Sequence, residues 1–324
     1  MRRRIARWLQ AQWYERARPA LPLRAAAGLY AAAARKRSGR PPARPPCPVI
    51  VVGNLVAGGS GKTPVVEAIA SRLAAAGLAT AMISRGYGGR AGDGPVRVAP
   101  GHSAADVGDE ALELVGATGL PMWVGRRRAA ALSAAVADGA EVVVADDGLQ
   151  HGHLPRSFEI CVVDARRGFG NGRLLPAGPL RESPARLEEV ELVLIKGAAQ
   201  PAPGLPDGVG FELESGSLQA RRPGARPPGP GTTVDAVAGI ADPAPFFAEL
   251  ERRGLLLRRH ALADHEPIDA RWLADLRGPV ILTRKDAMRL CERVRDDVFV
   301  LPVRARLPEA ALQRIERHVR EFRR

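Results

Sequence analysis

The chain has 324 residues, of which 46% are hydrophobic, a length and composition that mark a globular protein with room for two domains. Its three cysteines, Cys47, Cys161 and Cys291, lie far apart with no CxxC pair, which excludes a disulfide framework and a cysteine zinc site and points to a reducing compartment. The net charge is +13, but residues 1–45 hold twelve Arg or Lys against the single acid Glu15, so the basic excess belongs to an N-terminal arm. Four lysines stand against 44 arginines, so a position that has kept a lysine marks a place where the two cations are not interchangeable.

The arm comes first in chain order. At the helical period Ile5, Trp8, Leu9 and Trp13 share one face with Arg7 opposite, and a second apolar stretch around Leu29 and Tyr30 ends in Arg35, Lys36 and Arg37. This pattern suits an amphipathic helix lying in a membrane interface; the competing expectation is a helix docked on its own domain with solvated arginines. Aromatics on one helical face fit a bilayer better than stacked bases, which disfavours a nucleic-acid partner. Arg24 interrupts the best apolar run, so no transmembrane helix is expected, and a secretory signal peptide fits poorly.

After the proline-rich break at Pro41–Pro45, short apolar strands alternate with helical segments. The expected strands are Val49–Val52, Ala81–Ile83, Val142–Ala145, Ile160–Val163 and Leu192–Ile195, and between the first two a helix buries Val65, Val66, Ile69 and Leu73. This is the βαβ order of an α/β fold, a P-loop NTPase-like parallel sheet with helices on both faces. Leu205 to Gly231 is rich in Pro, Gly and Arg and reads as a connector. Beyond it come two strand-then-helix units, then "VFVLPVRARL" as a last strand and a C-terminal helix, a second and smaller α/β domain. The expected division is 1–224, with the arm at 1–45, and 225–324.

The chemistry is concentrated in "VIVVGNLVAGGSGKTPVVEAIASRL". A phosphate-binding loop needs glycines whose N–H groups turn inward, a lysine for the β and γ phosphates and a hydroxyl for Mg²⁺. The candidate cradle is Gly53, Asn54, Leu55, Val56, Ala57, Gly58, Gly59, Ser60, Gly61, Lys62 and Thr63, with Lys62 as the charge and Thr63 as a metal ligand. It stands between a strand and a helix whose N-terminus faces the anion. The first glycine of GxxxxGK[ST] is replaced by Val56. In "VVVADDGLQH", Asp146 and Asp147 end a strand, where Asp146 can reach Mg²⁺ as in a Walker B arrangement; helix capping is the competing use of such a pair. "LVLIKGAAQ" lacks the aspartate of a guanine-reading NKxD sequence, which disfavours a GTP switch. Arg126, Arg127 and Arg128 fit a solvated face better than a phosphate contact.

The loop, followed in order by "SRGYGGR", "GDEALEL", "ADDGLQH", "FGNGRLLPAGPLRE", "ADHEPID" and "LTRKDA", resembles the tetraacyldisaccharide 4′-kinase family, the lipid A kinases of Gram-negative bacteria, over nearly the whole chain. In that family the position of Val56 often carries Ser or Thr. The resemblance implies ATP and Mg²⁺ as cofactors and transfer of the γ-phosphate to the 4′-hydroxyl of a tetraacylated glucosamine disaccharide 1-phosphate, at the cytoplasmic face of the inner membrane. It implies Asp109 as the base, with Glu110 beside it, and His265, next to Asp264, as the partner of that base. Asp146, Asp147 and His151 would line the metal and phosphate region, while Arg181, Glu182 and Lys285 are similar to family active-site positions. The competing function is a membrane-associated P-loop ATPase acting as a switch or chaperone, and nothing in the sequence sets an oligomeric state.

Overall fold

The computed structural model describes residues 2–15, 19–37, 44–90, 92, 94–197, 204–264, 266–290 and 295–322. Two helices lead, α1 (Arg2–Tyr14) and α2 (Leu21–Arg37). The first αβ unit contains β1 (Val49–Gly53), α3 (Lys62–Ala75), β2 (Thr80–Ser84), β3 (Val96–Arg97), α4 (Ala104–Val107), α5 (Asp109–Thr118), β4 (Met122–Val124) and α6 (Arg128–Ala137). It continues through β5 (Val142–Asp146), β6 (Phe158–Asp164), β7 (Leu192–Lys196) and β8 (Val209–Ser215). The second unit holds β9 (Gln219–Ala220), β10 (Thr233–Ala238), α7 (Ala244–Arg252), β11 (Leu256–Ala261), α8 (Ala270–Ala274), β12 (Val280–Thr283), α9 (Arg284–Ala287) and β13 (Val298–Leu301). The described chain closes with β14 (Val303–Arg306) and α10 (Glu309–Phe322).

The large sheet has the order β14-β8-β7-β6-β1-β5-β2-β4-β3, parallel from β8 to β4 with an antiparallel strand at each edge. Ile50 and Val52 face one core, with Val65, Ile69 and Leu73 of α3 and Leu114 of α5. Val49 and Val51 face the other, with Ala131, Leu132 and Ala135 of α6. A strand covered on both faces needs apolar side chains at every position, which is why Val49–Gly53 is an uninterrupted apolar run. The five strands expected from the sequence all form, each longer by one to three residues. The second sheet is β11-β10-β12-β13-β9, parallel except at β9.

Two expectations differ from the pairing. Residues 205–231 are not a plain connector, because β8 extends the large sheet and β9 edges the small one. "VFVLPVRARL" is not one strand, and the stretch 225–324 does not stay in one sheet. It divides at Pro302, with β13 pairing in the small sheet and β14 pairing with β8 in the large one. Proline has no N–H to donate to a ladder, so a ladder breaks readily there. Leu307, Ala311, Ile315 and Val319 then carry α10 back onto the core beside α3. Gly216 and Pro302 stand side by side where the two strands cross between the sheets, the Gly216 N–H donating to the Pro302 carbonyl at 2.9 Å.

The arm is docked by the C-terminal end of α1. The Trp13 indole donates to the Pro176 carbonyl at 2.9 Å, Asn171 donates to the carbonyls of Gln12 and Trp13, and the Gln12 side chain is buried. Trp8, Leu21 and Leu29 remain exposed, and no helix among the described residues is long and apolar enough to cross a membrane.

Candidate active site

The register of the large sheet builds the site. Val52 of β1 pairs with Asp146 of β5, so the loop leaving β1 and the acid pair leaving β5 emerge side by side at the carboxyl ends of the strands, where open α/β sheets bind ligands. Gly58 (φ 103°) and Gly61 (φ 88°) turn the loop through left-handed conformations closed to most side chains. Gly61 caps α3 without a side-chain hydrogen bond, so the N–H groups of the first turn face the loop uncapped. A carbon at Gly61 would also stand 3.2 Å from the Lys196 chain.

Lys62 opens α3. Its ammonium donates to Asn54 Oδ1 at 3.2 Å and lies 3.6 Å from Asp147 Oδ1. Arg181 donates to both carboxylate oxygens of Asp147 at 2.9 Å and to Gln150 Oε1 at 3.3 Å, and Gln150 in turn donates to the Asn54 carbonyl at 3.0 Å. Burial opposes ionisation of Asp147, but Lys62 and Arg181 outweigh it and hold the carboxyl well below its usual range. Asp147 takes φ 51°, the left-handed conformation that a non-glycine residue rarely adopts.

Asp146 behaves in the opposite way. Burial, reinforced by the nearby charge of Glu110, pushes its carboxyl up to about 7 although Lys62 pulls it down. Its Oδ1 is buried with no hydrogen-bond partner, as is Ser60 Oγ in the loop. A buried, unsatisfied carboxylate oxygen at a strand end beside a phosphate-type loop suits a divalent cation, and Thr63, second in α3, is the hydroxyl the loop motif offers. Two protein donors are what Mg²⁺ bound with phosphates requires; no cluster of three or more His, Cys, Asp or Glu that could hold a metal alone occurs among the described residues. His151 is pushed down to about 4, by burial first and then by Arg128, Arg85 and Arg156, so it is neutral at pH 7.

Asp109 and Glu110 begin α5. Gly108 before them takes φ 89°, and any carbon there would meet the Tyr87 carbonyl at 2.6 Å, so the "SRGYGGR" loop and the start of α5 are held together. Asp109 is 4% exposed, and its carboxylate ion-pairs Arg289 of the second unit at 3.1 Å. Lys285 lies 3.1 Å from both Glu110 and Asp264, and those acids raise its ammonium above its ordinary value despite burial. Arg284 pairs with Glu67 of α3 at 2.5 Å. The second unit also reaches the nucleotide loop, since a carbon at Gly58 or Gly59 would stand 3.5 Å from the Ala241 side chain.

Not every expected residue joins this cluster. Glu182 turns from its neighbour Arg181 toward Arg186, at 3.6 Å, within the Arg156–Glu159–Arg186 network. Lys285 does join the cluster, with its ammonium held by Glu110 and Asp264. His265 lies outside the described residues. Conversely, Arg128 is no solvated residue: Arg126 and Arg127 are exposed, but Arg128 is 3% exposed and its guanidinium donates to the Asp147 carbonyl at 3.1 Å. Desolvation takes it down to about 10. Its position at the start of α6, after a strand of the same parallel sheet, was the available signal. Arg289 left no local signal.

With its crevice at the carboxyl end of β1 and β5, the molecule is of the P-loop nucleotide-dependent class. The comparisons narrow this. The family model for tetraacyldisaccharide-1-P 4′-kinase matches residues 19–320, and the chain belongs to that family. It is 48% identical over 278 residues to the tetraacyldisaccharide 4′-kinase of Alkalilimnicola ehrlichii, covering 84% of this chain and 82% of the relative. It is 39% identical over 322 residues to that of Alcanivorax borkumensis, covering 96% and 97%. The crystal structure of the "apo" form of LpxK from Aquifex aeolicus in complex with ATP superposes with a TM-score of 0.71 at 22% identity, covering 90% of this chain and 96% of that one. That likeness establishes the fold.

Proposed function

We propose that the protein transfers the γ-phosphoryl group of ATP to the 4′-hydroxyl of a tetraacylated glucosamine disaccharide 1-phosphate. One observation supports this most: the second unit touches both the nucleotide loop, where a carbon at Gly58 or Gly59 would stand 3.5 Å from Ala241, and the acidic helix start, where Arg289 lies 3.1 Å from Asp109. Phosphoryl transfer asks for positioning and charge neutralisation more than covalent chemistry. Lys62 exchanges Asn54 and Asp147 for phosphate oxygens, the uncapped N–H groups of α3 face the same phosphates, and Arg181 keeps Asp147 in place. Thr63 and Asp146 are the residues that would hold Mg²⁺, which would supply charge neutralisation for the phosphates. Asp109 takes the proton of the attacking hydroxyl, with His265 as the partner that the family resemblance gives it.

The division of labour follows the two sheets, the chain through Ser215 with the returning 303–322 forming the kinase body and 219–301 the smaller unit beside it. Exposed Trp8, Leu21 and Leu29 on a basic arm bring the enzyme to the cytoplasmic face of the inner membrane, where a four-chain lipid resides. The test is incubation with γ-labelled ATP and the detergent-solubilised tetraacyldisaccharide 1-phosphate. Label in the lipid is the expected result; label released only as free phosphate would favour an ATPase acting as a switch or chaperone.

A further inference from the structure

Arg289 is 7% exposed, and the second unit grips its guanidinium on several sides. Nη1 donates to the Glu266 carbonyl at 2.8 Å, while Nη2 donates to the Gly239 carbonyl at 3.0 Å and ion-pairs Asp286 at 2.8 Å. Asp286 is itself fully buried, accepting from the Gly239 N–H and the Thr283 hydroxyl. The remaining edge, Nε, turns to the other unit and lies 3.1 Å from Asp109 Oδ2, an ion pair rather than an aligned hydrogen bond.

We infer that Arg289 is a positioning residue through which the second unit makes Asp109 competent as a base. The inference rests on the proposed role of Asp109. A carboxylate that is 4% exposed has lost most of the water that favours its ionised form, and a base must be ionised to accept a proton. A guanidinium in contact restores that form. Its anchors Glu266, Gly239 and Asp286 all belong to the second unit while Asp109 starts α5 of the first, so the cation is supplied across the junction of the two units. Among the described residues the other charges nearby include Glu110 on α5 and, from the second unit, Lys285 and Asp264; Lys285 is already matched by Glu110 and Asp264 at 3.1 Å each. Arg284, which opens α9 just before the turn that carries Arg289, pairs with Glu67 and so helps to seat Arg289 opposite Asp109.

The experiment compares kcat, the KM for ATP and the pH profile of kcat for full-length wild type, Asp109→Asn, Arg289→Gln, Arg289→Lys and the Asp109→Asn/Arg289→Gln double variant, with MgATP and detergent-solubilised lipid. Arg289→Gln is expected to lower kcat at least about tenfold with little change in KM and to move the acid limb upward by about one pH unit or more, the size of effect an arginine has on a contacting carboxylate. Arg289→Lys, which keeps a cation, should recover part of the activity and keep the wild-type limb. The double variant should be scarcely worse than Asp109→Asn. Wild-type kcat in Arg289→Gln, or a lowered kcat with an unmoved acid limb, overturns the inference. Should Arg289→Gln fail to fold, Arg289→Lys decides: a limb displaced like that of a charge loss overturns it. An Asp109→Asn enzyme that retains more than about a tenth of wild-type kcat sinks the base assignment itself, independently of what Arg289 does.

Discussion

Lys62 rests between Asn54 Oδ1 and a carboxylate oxygen of Asp147, partners it can exchange for phosphate without leaving a buried charge unpaired. Lys62→Ala should therefore fold and melt like wild type yet lose more than tenfold in kcat, a barrier increase of at least about 1.4 kcal/mol. Retention of more than a tenth of the rate in the lipid-labelling assay would contradict this. Arg128 makes a different case, since its guanidinium supports the backbone carbonyl of Asp147 from a buried position beside a residue in the left-handed conformation. Arg128→Ala removes that donor and leaves the carbonyl unsatisfied, a loss of about 1–3 kcal/mol. A lowered melting temperature, accompanied by weaker MgATP binding, is the expected outcome. An unchanged melting temperature would show that water replaces the guanidinium.

Among the elements, β10 carries a charge where a central strand of a parallel sheet is ordinarily apolar. Asp235 is 1% exposed, accepts from Arg258 Nε and Nη2 at 2.9 and 2.8 Å and from the Gly278 N–H at 2.8 Å, and meets His260 Nε2 at 2.9 Å. The Arg258 hydrogen bonds hold its carboxyl well below the ordinary range, against the effect of burial. A folded-state pKa below the unfolded one gives stability that is present above the unfolded value, about 3.9, and is lost as pH falls through the folded value. Asp235→Asn should thus lower the melting temperature at pH 7 and narrow its difference from wild type as pH drops below 4. Parallel melting curves across that range would show that the Arg258 contact does not stabilise the carboxylate. The strands that cross between sheets follow another logic, since Gly216 and Pro302 set where each ladder ends and the next begins.

At the scale of the whole molecule, the two sheets meet through buried ion pairs, Arg284 with Glu67 and Arg289 with Asp109, which salt screens far less than surface pairs. The arm is divided between docking and exposure. Deleting all of it would also remove the partners of Asn171 and Pro176, so point changes test it more cleanly. Trp8→Glu with Leu29→Glu replaces two exposed apolar side chains, 46% and 78% accessible, and leaves the Trp13 contact alone. Co-sedimentation with anionic vesicles should fall while ATP binding stays unchanged. Vesicle binding equal to wild type would show that these positions do not face lipid.

The sequence by itself determined the parts of this protein whose causes are local. The phosphate loop was legible because glycine spacing, a preceding apolar strand and a following helix are neighbours in the chain, and the five strands because burial on both faces demands unbroken apolar runs. Of the four lysines, Lys62 and Lys285 pair with acids at the loop's end of the sheet and the Lys196 chain flanks Gly61. Tertiary structure decided what depends on pairing across long separations. Only there did β8 and β14, 88 positions apart counted from Ser215 to Val303, become partners, which no composition of a Pro- and Gly-rich stretch records. Arg128 and Arg289 stand among 44 arginines, and their sequence neighbourhoods resemble those of solvated ones. Burial and a carboxylate or carbonyl contributed by a distant segment distinguish them, and both exist only once the sheets have folded against each other.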